Sequence, residues 1–97
     1  MSNKIYGVLL VGGYRSHQEN YASQFLSDPR CRLVASADDA NAPAERVELN
    51  QRLAKQLDLP YQDLETALQR TDVDLVSLCP EAERRAEIAV KCAKAGK

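Results

Sequence analysis

Residues 6–19 read YGVLLVGGYRSHQE, and this stretch decides the fold. An apolar run ends in Gly12-Gly13, and polar residues suited to the start of a helix follow. An apolar run without regular alternation is typical of a strand that is buried on both faces. The stretch therefore predicts a buried strand, a tight turn and a helix, in that order.

The same two kinds of segment alternate along the rest of the chain. Apolar runs predict strands at 5–11, 32–37 and 73–79, with a very short one at 60–61, and helical spacing predicts helices at 16–27, 44–57, 64–70 and 80–95. Strands that alternate with helices form parallel sheets with right-handed crossovers. We therefore predict an α/β fold, a Rossmann-like doubly wound parallel sheet of about four strands in three α/β/α layers, with room for a further strand.

The sequence also predicts how the helices begin and which faces they bury. Ser16 with Glu19 three residues later matches a capping box, so the first helix is expected to start there. Its inward stripe is expected to be Tyr21, Ala22, Phe25 and Leu26. The last helix is expected to start at Pro80 and to bury Ala82, Ala86, Ala89, Val90 and Ala93.

Composition bounds the class of protein. The chain has 97 residues, enough for one domain, and a net charge of −1, which attracts neither nucleic acid nor an anionic membrane. Three dispersed cysteines and one histidine form no metal-ligand pattern and fit a reducing compartment. The first apolar run is too short for a signal peptide or a membrane span. We therefore predict a cytoplasmic protein that binds no metal, nucleic acid or membrane.

Ligands of such sheets bind outside the carboxyl ends of the strands, where the strand order reverses. For the order 3-2-1-4, this crevice lies between the first and last strands, so it is lined by the turn at 12–17 and by the segment that begins at Cys79. In the dinucleotide-binding motif G-x-G-x-x-G, Gly12 takes the first position, but Tyr14 and His17 replace the other two glycines.

Two interpretations of this turn remain open. It is either a modified cofactor loop, in which Arg15 and His17 donate to phosphate, or an ordinary turn after a strand with Ser16 as the helix cap.

Asp38 ends the second predicted strand, 21 residues after His17. A dinucleotide site expects an acidic residue at about this distance, bonded to the ribose hydroxyls. No arginine follows directly to receive a 2′-phosphate, so NAD is favoured over NADP. The alternative for Asp38 is a solvated aspartate at a strand end.

The last candidate segment is Cys79-Pro80, interpreted as a small apolar wall of the crevice, with a reactive thiol as the alternative. The predicted cofactor-binding residues are thus Gly12, Gly13, Tyr14, Arg15, Ser16, His17, Asp38, Cys79 and Pro80, and none is predicted to be catalytic.

Four segments in order, KIYGVLLVGG, DPRCRLVASAD, LAKQLDLPYQDLETALQRTDVDLVSLCP and AEIAVKCAKAGK, carry a resemblance that covers essentially the whole chain. The sequence resembles the N-terminal half of the glucose–fructose oxidoreductase and inositol dehydrogenase (Gfo/Idh/MocA) family. The resemblance implies a Rossmann domain that binds NAD or NADP. Gly12 would match the first motif glycine, Asp38 the acid at the adenosine ribose, and Cys79-Pro80 the segment near the nicotinamide. Tyr14 and His17 depart from the family pattern.

In that family a strand with Glu-Lys-Pro and a second, mostly β domain follow the segment AGK. That second domain binds a sugar- or polyol-like substrate and usually builds the oligomer interface. We therefore expect the chain to be a dinucleotide-binding fragment of an oxidoreductase that lacks the substrate domain and is inactive alone. A homo-oligomer is compatible with this expectation.

Other classes of protein were weighed against this expectation. A cofactor-free Rossmann-like scaffold or interaction module is the main alternative. An S-adenosylmethionine methyltransferase is disfavoured, because Leu10 and Val11 stand where an acidic residue usually precedes the glycines. A P-loop enzyme is excluded, because no Gly-Lys-Ser/Thr follows them.

Overall fold

Four parallel strands alternate with four helices in the computed structural model, which describes residues 4–97. The elements are β1 (Tyr6–Val11), α1 (Gln18–Ser27), β2 (Cys31–Asp38), α2 (Ala44–Gln56), β3 (Tyr61–Asp63), α3 (Leu64–Leu68), β4 (Leu75–Leu78) and α4 (Ala82–Lys94). The strand order is β3-β2-β1-β4, as predicted. Within residues 4–97, no helix is both long and apolar enough to cross a bilayer.

The central strand β1 holds the sheet together. It pairs in parallel with β2, where Tyr6 lies opposite Cys31, and with β4, where Val8 lies opposite Leu75. From Gly7 to Val11 every residue of β1 is buried, which explains the unbroken apolar run. Because the chain leaves β1 toward β2 and later returns to pair β4 on its other side, the strand order reverses at β1.

The side chains of β1 divide the core into two clusters. Leu9 and Val11 belong to the larger cluster, together with residues of β2, α3 and α4. Val8 and Leu10 belong to the smaller one, with Ala22 of α1 and with the half-buried Phe25 and Leu57. Helices therefore cover both faces of the sheet, and the predicted three-layer, Rossmann-like α/β fold is confirmed.

Two helices begin later than predicted. α1 begins at Gln18 rather than Ser16, because Arg15 and His17 adopt left-handed conformations with φ of 66° and 71°. Such residues interrupt a right-handed helix, so residues 14–17 form a turn. α4 begins at Ala82, after Pro80 and Glu81.

The buried faces of α1 and α4 also differ from the prediction. In α1 only Ala22 of the predicted stripe is buried, while Tyr21 is 49% and Leu26 is 61% exposed. α4 turns Arg84, Ile88 and Cys92 inward instead of its alanines and Val90. The prediction for α4 was wrong because the spacing of apolar residues alone set the face, whereas Arg84 is buried with its charge neutralised by Asp38 and Asp39.

We expect Gly7→Ala to destabilise the protein severely. A Cβ at Gly7 would lie 1.7 Å from the backbone oxygen of Asp72, and no side-chain rotation relieves that collision. The expected loss in free energy of unfolding is about 3 kcal/mol or more, measured by urea denaturation. The control is Gly96→Ala, whose Cβ meets nothing within 4 Å, so only its positive φ costs energy, about 1–2 kcal/mol. Equal losses in the two variants would contradict the collision.

Candidate functional site

The turn after β1 and the segment after β4 meet at the carboxyl edge of the sheet. The Cys79 amide donates to the Val11 carbonyl at 2.8 Å. Gly12 has a φ of 113°, and a Cβ on it would lie 2.6 Å from the Cys79 carbonyl oxygen. The sequence therefore correctly placed these two segments beside each other at the point where the strand order reverses.

The second glycine packs against α2. A Cβ on Gly13 would lie 2.4 Å from the Cα of Asn50. The next residue, Tyr14, is held on the same helix, since its amide approaches the Leu49 carbonyl at 3.4 Å and its carbonyl accepts from the Arg46 guanidinium. Both glycines thus serve contacts within the protein, and the turn requires them whether or not a ligand binds.

The remainder of the turn is held by its own polar groups. Ser16 Oγ donates to the Gly13 carbonyl at 2.5 Å, so Ser16 does not cap α1, and the predicted capping box was wrong. The Glu19 carboxylate accepts instead from the Arg15 amide at 2.8 Å. Partial burial acts to raise the pKa of Glu19, but backbone hydrogen bonds from Arg15 and its neighbours lower it overall. The side chains of Arg15 and His17 remain exposed.

Gln18 joins the ends of β1 and β4 through a buried amide. Its Nε2 donates to the carbonyls of Val11 at 2.9 Å and Ser77 at 2.8 Å, and its Oε1 accepts from Ser77 Oγ at 2.8 Å. The sequence analysis missed this residue, because a glutamine in the first turn of a helix gives no sign of burial. It closes the crevice between the two strands on the side of α1.

Asp38, the predicted ribose acceptor, has a side chain that is 0% exposed. Its Oδ1 accepts from Arg84 at 3.0 Å and from the Asp39 amide at 2.8 Å. Its Oδ2 accepts from Arg84 at 3.2 Å and from the Asn50 side chain at 2.9 Å. Each carboxylate oxygen therefore already accepts two hydrogen bonds, which is the usual capacity of the group.

Arg84 is the cation that makes this burial possible. Its side chain is 11% exposed and also contacts Asp39 at 2.9 Å and Glu81 at 2.5 Å. The hydrogen bond to Glu81 raises the pKa of Arg84 most, and Asp38 raises it further against the opposing effect of burial. The sequence analysis missed this role, because a charged residue near the start of a helix is most simply solvated.

This arrangement bears directly on the predicted role of Asp38. With both oxygens occupied, the carboxylate has no position left for a ribose hydroxyl while Arg84 stays in place. A diol could reach Asp38 only if Arg84 released it, and that release would leave a buried carboxylate without its cation. The ribose contact of Asp38 stays a prediction.

Cys79 and Pro80 are both buried at this edge. Burial raises the pKa of the Cys79 thiol, although the nearby charge of Arg85 acts in the opposite direction. A thiol with a raised pKa is a weak nucleophile at neutral pH, which favours the apolar-wall interpretation. Across residues 4–97, no group of three or more His, Cys, Asp or Glu side chains is placed to hold a metal ion.

A solved structure agrees with this architecture. The chain is similar to the oxidoreductase domain protein from Kribbella flavida, with 26% sequence identity and a TM-score of 0.74. The similarity covers 97% of this chain but only 26% of that protein, so the chain spans about a quarter of its length. The sequence matches no protein-family model and no curated protein. The similarity and the parallel sheet together support an oxidoreductase-type Rossmann domain.

We expect Arg84→Met to destabilise the protein by about 3–5 kcal/mol, because it leaves Asp38 buried and unpaired. Asp39 also loses this cation, so adding Asp38→Asn to the variant removes one of two uncompensated buried charges and is expected to recover part of the loss. Arg85→Met is the matched control, since Arg85 is exposed on the same helix, and it should change stability by less than about 0.5 kcal/mol. Urea denaturation of the unchanged protein and the three variants measures these losses in stability. Similar losses for Arg84→Met and Arg85→Met would refute the ion-pair role.

We expect Cys79 to resist alkylation in the native protein. The experiment is done at pH 7.5, about one unit below the usual thiol pKa. Iodoacetamide should then modify half-buried Cys31 well before buried Cys79. In urea the two rates should converge, because the burial that raises the Cys79 pKa is lost. Peptide mass spectrometry over time measures both rates, and native modification of Cys79 as fast as Cys31 would favour the reactive-thiol alternative.

Proposed function

We propose that this chain is the dinucleotide-binding half of an oxidoreductase, with NAD as the favoured cofactor. The observation that carries the proposal is the meeting of the Gly12-Gly13 turn with the Cys79-Pro80 segment at the reversal point of the sheet. In open α/β sheets, this is where ligands bind. The similarity to an oxidoreductase domain supports the same interpretation.

The turn offers several groups to a dinucleotide. Arg15 and His17 are exposed beside the first turn of α1, where they would meet a phosphate. Tyr14 is half-buried, and its carbonyl is held by Arg46, so its backbone position in the turn is fixed. Gly12, Gly13 and Ser16 shape the turn, and Cys79 and Pro80 would form the wall on the β4 side.

The fit is incomplete at Asp38, because Arg84 and Asn50 fill its acceptor positions. The proposal therefore places the cofactor along the turn and assigns the ribose to Asp38 only after Arg84 has moved. When bound, a nicotinamide dinucleotide supplies the hydride chemistry, and the protein supplies binding and orientation. A sugar- or polyol-like substrate belongs to the proposed longer parent protein.

A second candidate function is a Rossmann-like module without cofactor that acts as a scaffold or interaction domain. It is favoured by the saturation of Asp38 and by the packing of Gly12 and Gly13 against protein backbone. Both features complete the fold without any ligand. Fold alone does not decide between the two candidates.

Calorimetric titration of the chain with NADH, NAD and NADP tests the proposal. We expect at least one dinucleotide to bind with a dissociation constant between about 1 µM and 1 mM. Tyr14→Gly should bind at least as tightly, because it removes the Cβ from the second motif position while its backbone contacts remain. Tyr21→Ala, on the exposed face of α1, is the control and should leave binding unchanged.

The outcomes separate the two candidates. No heat with any dinucleotide at millimolar concentration would remove the proposed function. If Tyr14→Gly then created binding that the unchanged chain lacks, the turn would be one that had lost its cofactor, and the cofactor-free module would be the correct interpretation.

A further inference from the structure

A cavity of about 490 Å³ lies at the carboxyl edge of the sheet, between the glycine turn and the first half of α2. It adjoins the proposed dinucleotide site, since Arg15 of the glycine turn is part of its lining. Its lining residues are Arg15, Pro43, Glu45, Arg46, Glu48, Leu49, Arg52 and Glu81. Apart from Arg15, no lining residue could be assigned a role from the sequence, since the lining comes from three distant segments.

One residue of the lining has a hydrogen-bond donor that is left unpaired within residues 4–97. Arg46 is only 9% exposed, and one of its terminal nitrogens donates to the Tyr14 carbonyl. Its Nε is buried and has no hydrogen-bond partner within residues 4–97. A buried cationic donor without a partner is costly, so the cavity favours an occupant that brings an anionic acceptor.

A second residue of the lining, Glu81, has an acceptor that is left unpaired among the described residues. Glu81 Oε2 binds Arg84 at 2.5 Å, whereas Glu81 Oε1 is buried without any hydrogen-bond partner in the described part of the chain. A carboxylate oxygen accepts but cannot donate, so it requires a hydroxyl or an N–H group from the occupant. The cavity therefore fits a ligand that carries both an anionic group and a hydroxyl group.

The remaining charges permit an anion. Glu48 is paired with Arg52 at 2.8 Å, and Glu81 is paired with Arg84. Within residues 4–97, Glu45 is then the acid of the lining without a cationic partner, and Arg15 and Arg46 are cations of the same lining. α2 also begins here without a side-chain cap, so its first amides and the positive end of its dipole point toward the same corner.

We infer that this cavity binds a phosphorylated sugar, with the phosphomonoester on Arg46 and Arg15 and a sugar hydroxyl on Glu81 Oε1. The inference rests on the proposed function in one respect, since the same glycine turn supplies Arg15 and would receive the dinucleotide. It also bears on the choice between NAD and NADP. No arginine follows Asp38 directly in the sequence, but the fold brings Arg46 and Arg15 to this edge from other segments.

Two sources carry this chemistry, and the titration distinguishes them. The 2′-phosphorylated ribose of a dinucleotide is represented by NADP and 2′-AMP, with NAD as the probe that lacks the phosphate. A free sugar phosphate is represented by ribose 5-phosphate, and inorganic phosphate is the probe that lacks the sugar. We expect 2′-AMP or ribose 5-phosphate to bind more tightly than inorganic phosphate at low salt, as measured by calorimetry.

Two arginine variants test the assignment. Arg15→Gln and Arg46→Gln are each expected to weaken binding of the preferred phosphorylated sugar about tenfold or more, since each loses a charge-assisted hydrogen bond. Arg85→Gln is the control, because Arg85 is exposed on α4 outside the cavity. Arg46 also holds the Tyr14 carbonyl, so thermal unfolding is followed in parallel. If Arg46→Gln unfolds, the exposed Arg15→Gln carries the test alone.

The outcomes separate this inference from the proposed function. Binding of NAD and NADP with equal affinity, weakened equally by Arg15→Gln, would leave the proposed function in place and overturn the inference. Arginine-dependent binding of a sugar phosphate without binding of any dinucleotide would support the inference and overturn the proposed function. Failure of every phosphorylated probe at millimolar concentration would also overturn the inference.

Discussion

The carboxylate of Asp38 is the point on which the carboxyl edge of the sheet depends. It lies at the end of β2 and is bound from two elements at once, by Arg84 of α4 and by Asn50 of α2. The backbone of Asn50 in turn supports Gly13, so the position of the glycine turn follows from the same contact. A buried charge of this kind is stable only while all its partners remain, which makes this edge cooperative.

The fold could be predicted from the sequence because its main signal is local. Strands that are buried on both faces need unbroken apolar runs, and their alternation with helical spacing leaves few topologies. The buried face of α3 also follows from local spacing, since its apolar residues Leu64, Ala67 and Leu68 are all buried. The face of α4 was not, because small alanines satisfy either side of a helix. Its true face combines Ile88 and Cys92 with an arginine whose burial depends on acids elsewhere in the chain.

The candidate site was predictable only in part, for a related reason. Spacing located the glycine turn and the end of β2, and topology placed the turn beside Cys79. Neither spacing nor topology could reveal that Arg84 neutralises Asp38 or that Arg46 reaches the turn, since both contacts join residues more than 30 positions apart. The start of α1 was misplaced because Arg15 and His17 adopt left-handed conformations that their residue types do not announce.

The division of the core by β1 has a consequence for local stability. The helix that follows the glycine turn rests on the smaller cluster and leaves Tyr21 and Leu26 largely in water, whereas α3 and α4 share the larger cluster. Partial opening of a protein begins where little apolar surface is buried. The layer that contains α1 should therefore detach at lower free energy than the opposite layer, and its amides should exchange hydrogen first. Flexibility is thus expected beside the glycine turn, while the opposite face stays a rigid support.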